Sequence, residues 1–298
     1  MEPTDTGERP REEKEVLLHD LRSCDWNQLL PHLAKLRLPA LLNPIRGEEG
    51  WDRTPEVLAD LANRVITAIE DPKNPVVGIV GAPRMGKTSL LYSCEQELGG
   101  RPNCLYVDLQ SFENPGSFLE QLKEELSKIK TVIFDEYNDR FGPLLEEMRR
   151  RGIKVIIAMS IQEAARLEES TRGAEFPLYR VPPVPDEQMS EYLRRLLELT
   201  DKSIPGSDKP IGVIAKLSGG SLVVANSIVS AFVLEARWNT SELTKELTEQ
   251  DLNRIIQQGL RGLSNIFETW REIRANNPSF AKLIPNTTLA ETFLPTET

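Results

Sequence analysis

The sequence predicts an α/β fold, with a parallel-sheet core followed by an all-α domain and preceded by a small N-terminal helical segment. Three observations predict it. Short continuous apolar runs at Val76 to Val80, Cys104 to Val107, Thr131 to Phe134 and Val155 to Met159 suit strands buried on both faces. Amphipathic helical segments separate them: Phe118, Leu119, Leu122 and Leu126 share one face, as do Leu144, Leu145 and Met148, which gives the βαβα alternation of a parallel sheet. Beyond Pro182, Pro183 and Pro185 the periodicity is helical throughout.

Residues 1–14 read as a disordered arm of mixed charge. Over 15–42, Val16, Leu17, Leu21, Leu29, Leu30, Leu33 and Leu36 recur at roughly helical spacing, interrupted at Asp25 and Pro31. This segment, with Trp26, is either a small partner-binding module or a packing layer on the core. The core is expected over 43–183. It opens at the Asn43-Pro44 break and continues in a helix carrying Val57, Leu58, Leu61, Val65, Ile66 and Ile69, and a fifth strand, Leu178 to Val181, closes the sheet. The all-α domain is expected over 184–275. Asp186 caps its first helix, with Met189, Tyr192, Leu193, Leu196 and Leu197 on one face, and further helices run through Ile211 to Leu217, Leu222 to Arg237 and Leu252 to Ile273. Residues 276–298 are polar and contain proline, and read as a tail.

The 298 residues are 39% hydrophobic and 28% charged, enough to bury a sizeable core and keep a solvated surface. A formal charge of -10 opposes non-specific capture of a polyphosphate, so DNA as a partner is not indicated by charge and would need a local patch. The one compact basic cluster, Arg149, Arg150, Arg151 and Lys154, ends a predicted helix, where cations complement the dipole. Cys24, Cys94 and Cys104 are too few and scattered for a disulfide framework and contain no CxxC pair, so a reduced, cytoplasmic setting is expected. The charged first fifteen residues are followed by no apolar run that suits a signal peptide or a spanning helix, and no membrane association is expected. The two histidines, His19 and His32, lie far in sequence from the motifs below and read as helix-surface residues.

Chemistry is carried by Gly81-Ala82-Pro83-Arg84-Met85-Gly86-Lys87-Thr88, which satisfies G-x-x-x-x-G-K-[ST] directly after a strand and directly before a helix, Ser89 to Leu98. Such a loop cradles the phosphates of ATP or a related nucleoside triphosphate on backbone N–H groups at a helix N-terminus. Lys87 is expected to reach the β- and γ-phosphates, and the Thr88 hydroxyl to ligate Mg2+. Thr131-Val132-Ile133-Phe134-Asp135-Glu136 is an apolar strand ending in two acids. Two acids at a strand end are by themselves a common way for a buried strand to meet solvent. Paired with the loop, Asp135 becomes a candidate to hold the magnesium through water, and Glu136 a candidate to polarise the attacking water.

One strand-helix unit, Cys104 to Lys128, separates the loop helix from the Asp135 strand, and an acid follows the magnesium Asp. Both features resemble the additional-strand, catalytic-glutamate division of P-loop NTPases. Arg84, the run Gly86-Lys87-Thr88-Ser89-Leu90-Leu91 and Phe134-Asp135-Glu136-Tyr137 resemble, more narrowly, the STAND and archaeal-type ATPases among the AAA+ relatives, over roughly Asn43 to Ala236. The resemblance implies an ATPase core with a helical lid. It implies that Ser160, at a strand end, senses the γ-phosphate, that Arg172 or Arg180 acts in trans as an arginine finger, and that Pro44 and Ile45 pack on the adenine, with Ser89 completing the loop's contacts. In Lys216-Leu217-Ser218-Gly219-Gly220 the chain is similar to the lid's turn, yet Ser221 to Ala225 offers neither the proline nor the arginine that the family places there. The expected activity is slow or partner-stimulated ATP hydrolysis driving a switch, in a homo-oligomer or larger protein assembly. A DNA-engaging regulator or loader, and a non-hydrolysing nucleotide-bound scaffold, are the rival readings.

Overall fold

The computed structural model describes residues 9–24, 26–34, 55–99, 103–122, 124–169, 176–198, 208–238 and 247–294. The described chain falls into two compact units. One comprises Glu56–Pro182 with Glu272–Ile284; the other combines Met1–Pro55, Pro183–Arg271 and Pro285–Thr298.

In the first unit, Val76–Val80 (β1), Cys104–Asp108 (β2), Thr131–Tyr137 (β3), Lys154–Met159 (β4) and Leu178–Arg180 (β5) form one sheet. Its order is β2-β3-β4-β1-β5 and every pairing is parallel. All five residues of β1 are buried, as a strand covered on both faces requires. Helices Glu56–Glu70, Lys87–Glu97 and Gly142–Arg150 pack against the sheet, the first burying Leu58, Leu61, Ala62, Val65, Ala68 and Ile69. The βαβα expectation therefore describes the sheet correctly. β3 runs three residues further than its apolar run, through Asp135 and Glu136 to the buried Tyr137. Parallel order places β4 between β1 and β3, so the strands bearing the two motifs are separated by one strand.

The basic cluster is absorbed locally. Arg150 and Arg151 both pair with Glu147 and Arg149 pairs with Glu146, while the Lys154 ammonium donates to the carbonyls of Ile69 and Glu70 at 2.6 and 2.8 Å, at the end of helix Glu56–Glu70. Cations at helix C-termini are stabilising for that reason.

The second unit is helical. Arg9–Arg22, Trp26–Leu33, Asp186–Glu198, Asp208–Ser218, Leu222–Trp238 and Glu249–Arg261 make up its frame. Two expectations are corrected at its amino end. The helix begins at Arg9, inside the stretch read as a disordered arm, because the apolar residues at 17, 18 and 21 give its last turns a face to bury. The described part of the 15–42 segment, residues 15–24 and 26–34, belongs to the helical unit and is not a layer on the core. Leu17, Leu18, Leu21, Leu29, Leu30 and Leu33 are buried within the helical unit. Trp26 stacks on Phe232 at 4.9 Å with 3° between the rings, and its indole N–H donates to the Leu21 carbonyl at 2.8 Å. The aromatic pair ties residue 26 to a helix two hundred residues further on.

The helix predicted through Leu252 to Ile273 is two helices, Glu249–Arg261 and Ser264–Asn276, broken where Gly262 caps the first. Thr248 and Asp251 form a capping box at its start. The expectation of a polar tail is likewise corrected. Pro278–Leu283 is a 3-10 turn and Thr288–Glu291 a short helix, and Phe280, Leu283, Ile284, Ala290 and Phe293 are buried. Apolar residues spaced without a regular period do not register as an element, although each finds a place to bury.

Gly219 and Gly220 have φ of 55° and 86° and bind two segments of the helical unit at once. The Gly219 carbonyl accepts from the Asn286 N–H at 3.2 Å, and the Gly220 carbonyl from the Val184 N–H at 2.9 Å. A Cβ at Gly219 would lie 2.1 Å from the Asn286 carbonyl oxygen. The Gly219→Ala variant is therefore expected to lose about 2 kcal/mol or more, from the left-handed backbone and the clash with main chain that cannot swing aside. A lowered urea midpoint with unchanged m-value checks it.

Candidate functional site

The loop from Gly81 to Thr88 lies at the carboxyl edge of the sheet. Val80 is level with Met159 of β4, and Met159 with Tyr137 of β3, so Gly81, Ser160 and the Asp135-Glu136 pair all lie at the same edge of the sheet. Open parallel sheets bind ligands at that edge. Arg84 and Gly86 take positive φ, 63° and 88°. Gly86 is the N-cap of helix Lys87–Glu97 and has no side chain to accept the first-turn N–H groups. A helix start without a side-chain cap leaves those donors for an anion. Ala82 and Met85 are buried, which anchors the loop from below, while Arg84 is exposed.

Lys87 is 7% exposed. Its ammonium donates to the carbonyls of Gly81 and Ala82 at 3.2 and 3.3 Å, bending back over the loop that precedes it. Burial lowers its pKa, and the negative charges of Glu136 and Asp135 act against that shift.

The two motifs meet through one hydrogen bond. The Thr88 hydroxyl donates to Asp135 Oδ2 at 2.7 Å, across 47 residues of sequence. Asp135 is 3% exposed, and its other oxygen accepts from the Glu136 N–H at 2.9 Å. Between Phe134 and Tyr137 β3 carries one residue more than β4 opposite it, a bulge in which Glu136 adopts φ 54°. Bulges of this kind re-aim a side chain at a strand end, and a non-glycine residue held at positive φ costs on the order of 1–2 kcal/mol. Glu136 is thus turned out of the strand's alternation and is half-buried, next to a fully buried Asp135.

One member of the site left no mark in the motifs. The Tyr106 hydroxyl, from β2, donates to the same Asp135 Oδ2 at 2.8 Å, and its ring stacks on Tyr92 at 4.5 Å. Burial first, and then the hydrogen bond to Asp135, push its phenol far up from the ordinary value. A tyrosine within a buried strand needs a hydroxyl partner, which is the signal the sequence offers; the partner's identity depends on strand register.

The remaining expected residues that the structure describes stand on separate elements. Ser160 follows β4, and its hydroxyl oxygen accepts from the Glu163 N–H at 3.1 Å, at the head of helix Ile161–Glu169. Arg180, level with Val80 on edge strand β5, is exposed and lies over the Phe280 ring at 4.9 Å. Ser89 is half-buried in the first turn of the loop helix. Pro44, Ile45 and Arg172 lie outside the described residues.

For a divalent cation the chain offers hard oxygen donors, the Thr88 hydroxyl and the Asp135 carboxylate. Among the described residues no group of three or more His, Cys, Asp or Glu side chains is placed to hold a metal. This donor set fits Mg2+, which takes one or two protein oxygens and completes its shell with phosphate and water.

A glycine-rich loop between β1 and a helix, an acid-tipped β3 and an intervening β4 define a phosphate-loop NTPase fold with a helical second unit. Solved structures similar to it include domain III of the Thermotoga maritima replication initiation protein DnaA, at 16% identity and a TM-score of 0.49, covering 74% of this chain and 96% of that one. Two variants of Thermotoga maritima RuvB are also similar. One has 16% identity and a TM-score of 0.47, covering 78% of this chain and 87% of RuvB; the other has 15% and 0.47, with 79% and 88% covered. No family model matches the sequence, and no curated protein matches it. Among the described residues no helix is long and apolar enough to cross a membrane.

Proposed function

We propose that this chain binds ATP with Mg2+ at Gly81 to Thr88, hydrolyses it slowly or on stimulation by a partner, and uses the nucleotide state to control its assembly with itself or with another protein. The observation that carries the reading is the 2.7 Å contact between Thr88 and Asp135, which joins the loop to the acidic strand end. In this reading the loop's N–H groups and Lys87 hold the phosphates, the ammonium moving from the Gly81 and Ala82 carbonyls to phosphate oxygens. Thr88 and Asp135 hold the cation, whose chemistry is to neutralise charge on the phosphate oxygens. Glu136 accepts the proton of the attacking water, Ser160 contacts the γ-phosphate, Arg180 serves a neighbouring copy, and Pro44 and Ile45 pack on the base. Arg84 and the run Gly86 to Leu91 support the narrower STAND-like assignment, by sequence resemblance.

The test measures molecular mass in solution with ADP, ATP and a slowly hydrolysed ATP analogue, each with and without duplex DNA, while phosphate release is followed. The expected result is a mass that differs between the ADP and analogue states, with release slower than about one per second. An unchanged mass in every state, with no partner captured selectively by one nucleotide, overturns the switch. Mass gain only on DNA, steeply salt-dependent, assigns the chain to nucleic-acid loading instead.

A further inference from the structure

A carboxylate offers about four lone-pair directions, two on each oxygen. On Asp135, Thr88 and Tyr106 both donate to Oδ2, at 2.7 and 2.8 Å, and the Glu136 N–H donates to Oδ1 at 2.9 Å. Oδ2 is thereby saturated, and the plane of the carboxylate is fixed from three sides. Two of those three donors belong to the motifs; Tyr106 belongs to neither.

Its placement follows from the sheet. β2 pairs with β3 so that Tyr106 is level with Ile133 and Asp108 with Asp135. Tyr106 therefore starts two residues short of Asp135, and a phenol is long enough to cover that diagonal between adjacent strands. Its ring is held in turn by Tyr92, on the helix that begins at Lys87, with ring centroids 4.5 Å apart. Asp108, although level with Asp135, turns its carboxylate to the Gln110 N–H at 2.9 Å.

We infer that Tyr106 is a positioning residue for the divalent cation: its hydroxyl locks the Asp135 carboxylate so that Thr88 gives up its proton direction to Oδ2 and keeps its lone pairs for the metal. The inference rests on the reading of the loop given above and adds a residue to it. The phenol is a neutral donor at physiological pH, so it fixes the carboxylate without adding a charge that competes with the cation. Outer-shell partners that orient a ligand govern metal affinity by 10- to 100-fold, roughly, when removed.

The test is Tyr106→Phe, which keeps the ring on Tyr92 and deletes only the hydroxyl. Binding of a fluorescent ATP analogue is titrated with MgCl2, and separately measured in chelator. The half-saturating Mg2+ concentration is expected to rise by about 10-fold or more, while metal-free nucleotide affinity stays within about twofold of wild type. A purely structural hydroxyl would lower thermal stability and leave the Mg2+ titration unmoved; that result overturns the inference. Wild-type protein that binds the analogue without any response to Mg2+ overturns the site reading itself, and is distinguishable because it needs no variant.

Discussion

Lys87→Ala is expected to eliminate measurable nucleotide binding. The side chain sits almost wholly inside the loop, with its ammonium on two carbonyls that the loop itself supplies. Those carbonyls are weak partners for a charge, so the ammonium is held ready for stronger ones, and burial already disfavours its charged form. Two or more charge-assisted hydrogen bonds to phosphate are worth about 3 kcal/mol or more together, a loss of at least about 100-fold in Kd. The hydrogen bonds of the ammonium stay within the loop, so the melting temperature should stay near wild type. Calorimetric titration with ATP and Mg2+ checks the first point and a thermal melt the second. An alanine variant that binds ATP as tightly as wild type removes the site assignment.

Glu136→Gln separates binding from turnover. The substitution keeps the size of the side chain and the bulge that holds residue 136 at positive φ, and it takes away the negative charge and with it the ability to accept a proton. Nucleotide affinity should hold within a few fold, and the rate of phosphate release at saturating ATP should fall by about 10²- to 10⁴-fold, the usual contribution of a positioned base. Equal loss of affinity and rate would instead make Glu136 part of the binding apparatus. Unchanged release would move the water-activating role to another group.

Much of the sheet was legible because parallel strands buried on both faces write themselves as apolar runs; Val76 to Val80 was read with its observed ends. The loop was legible for a different reason, since phosphate binding constrains residue type at fixed spacing. What escaped depends on contacts between distant residues. The bulge at Glu136 puts a glutamate where side chains rarely go, and no local preference announces it. Tyr106 became a neighbour of Asp135 only through strand register. Trp26 found its partner in Phe232, and periodicity carries no address for such a contact. Polar composition, and the want of a regular repeat to mark them, hid Phe280 and Phe293, which are buried.

The buried residues after position 276 set a rule for anyone shortening this chain. Phe280, Leu283 and Ile284 are counted in the sheet-bearing unit, whereas Ala290 and Phe293 belong to the helical one. Arg180 rests on the ring of the first, and the Lys14 ammonium lies 4.5 Å from the ring centroid of the last. Neither unit is a continuous stretch of polypeptide, so a stop codon placed at the apparent end of the helical domain strips a buried aromatic from both. Separately expressed halves divided at Pro182 would each begin life with a hole in the interior.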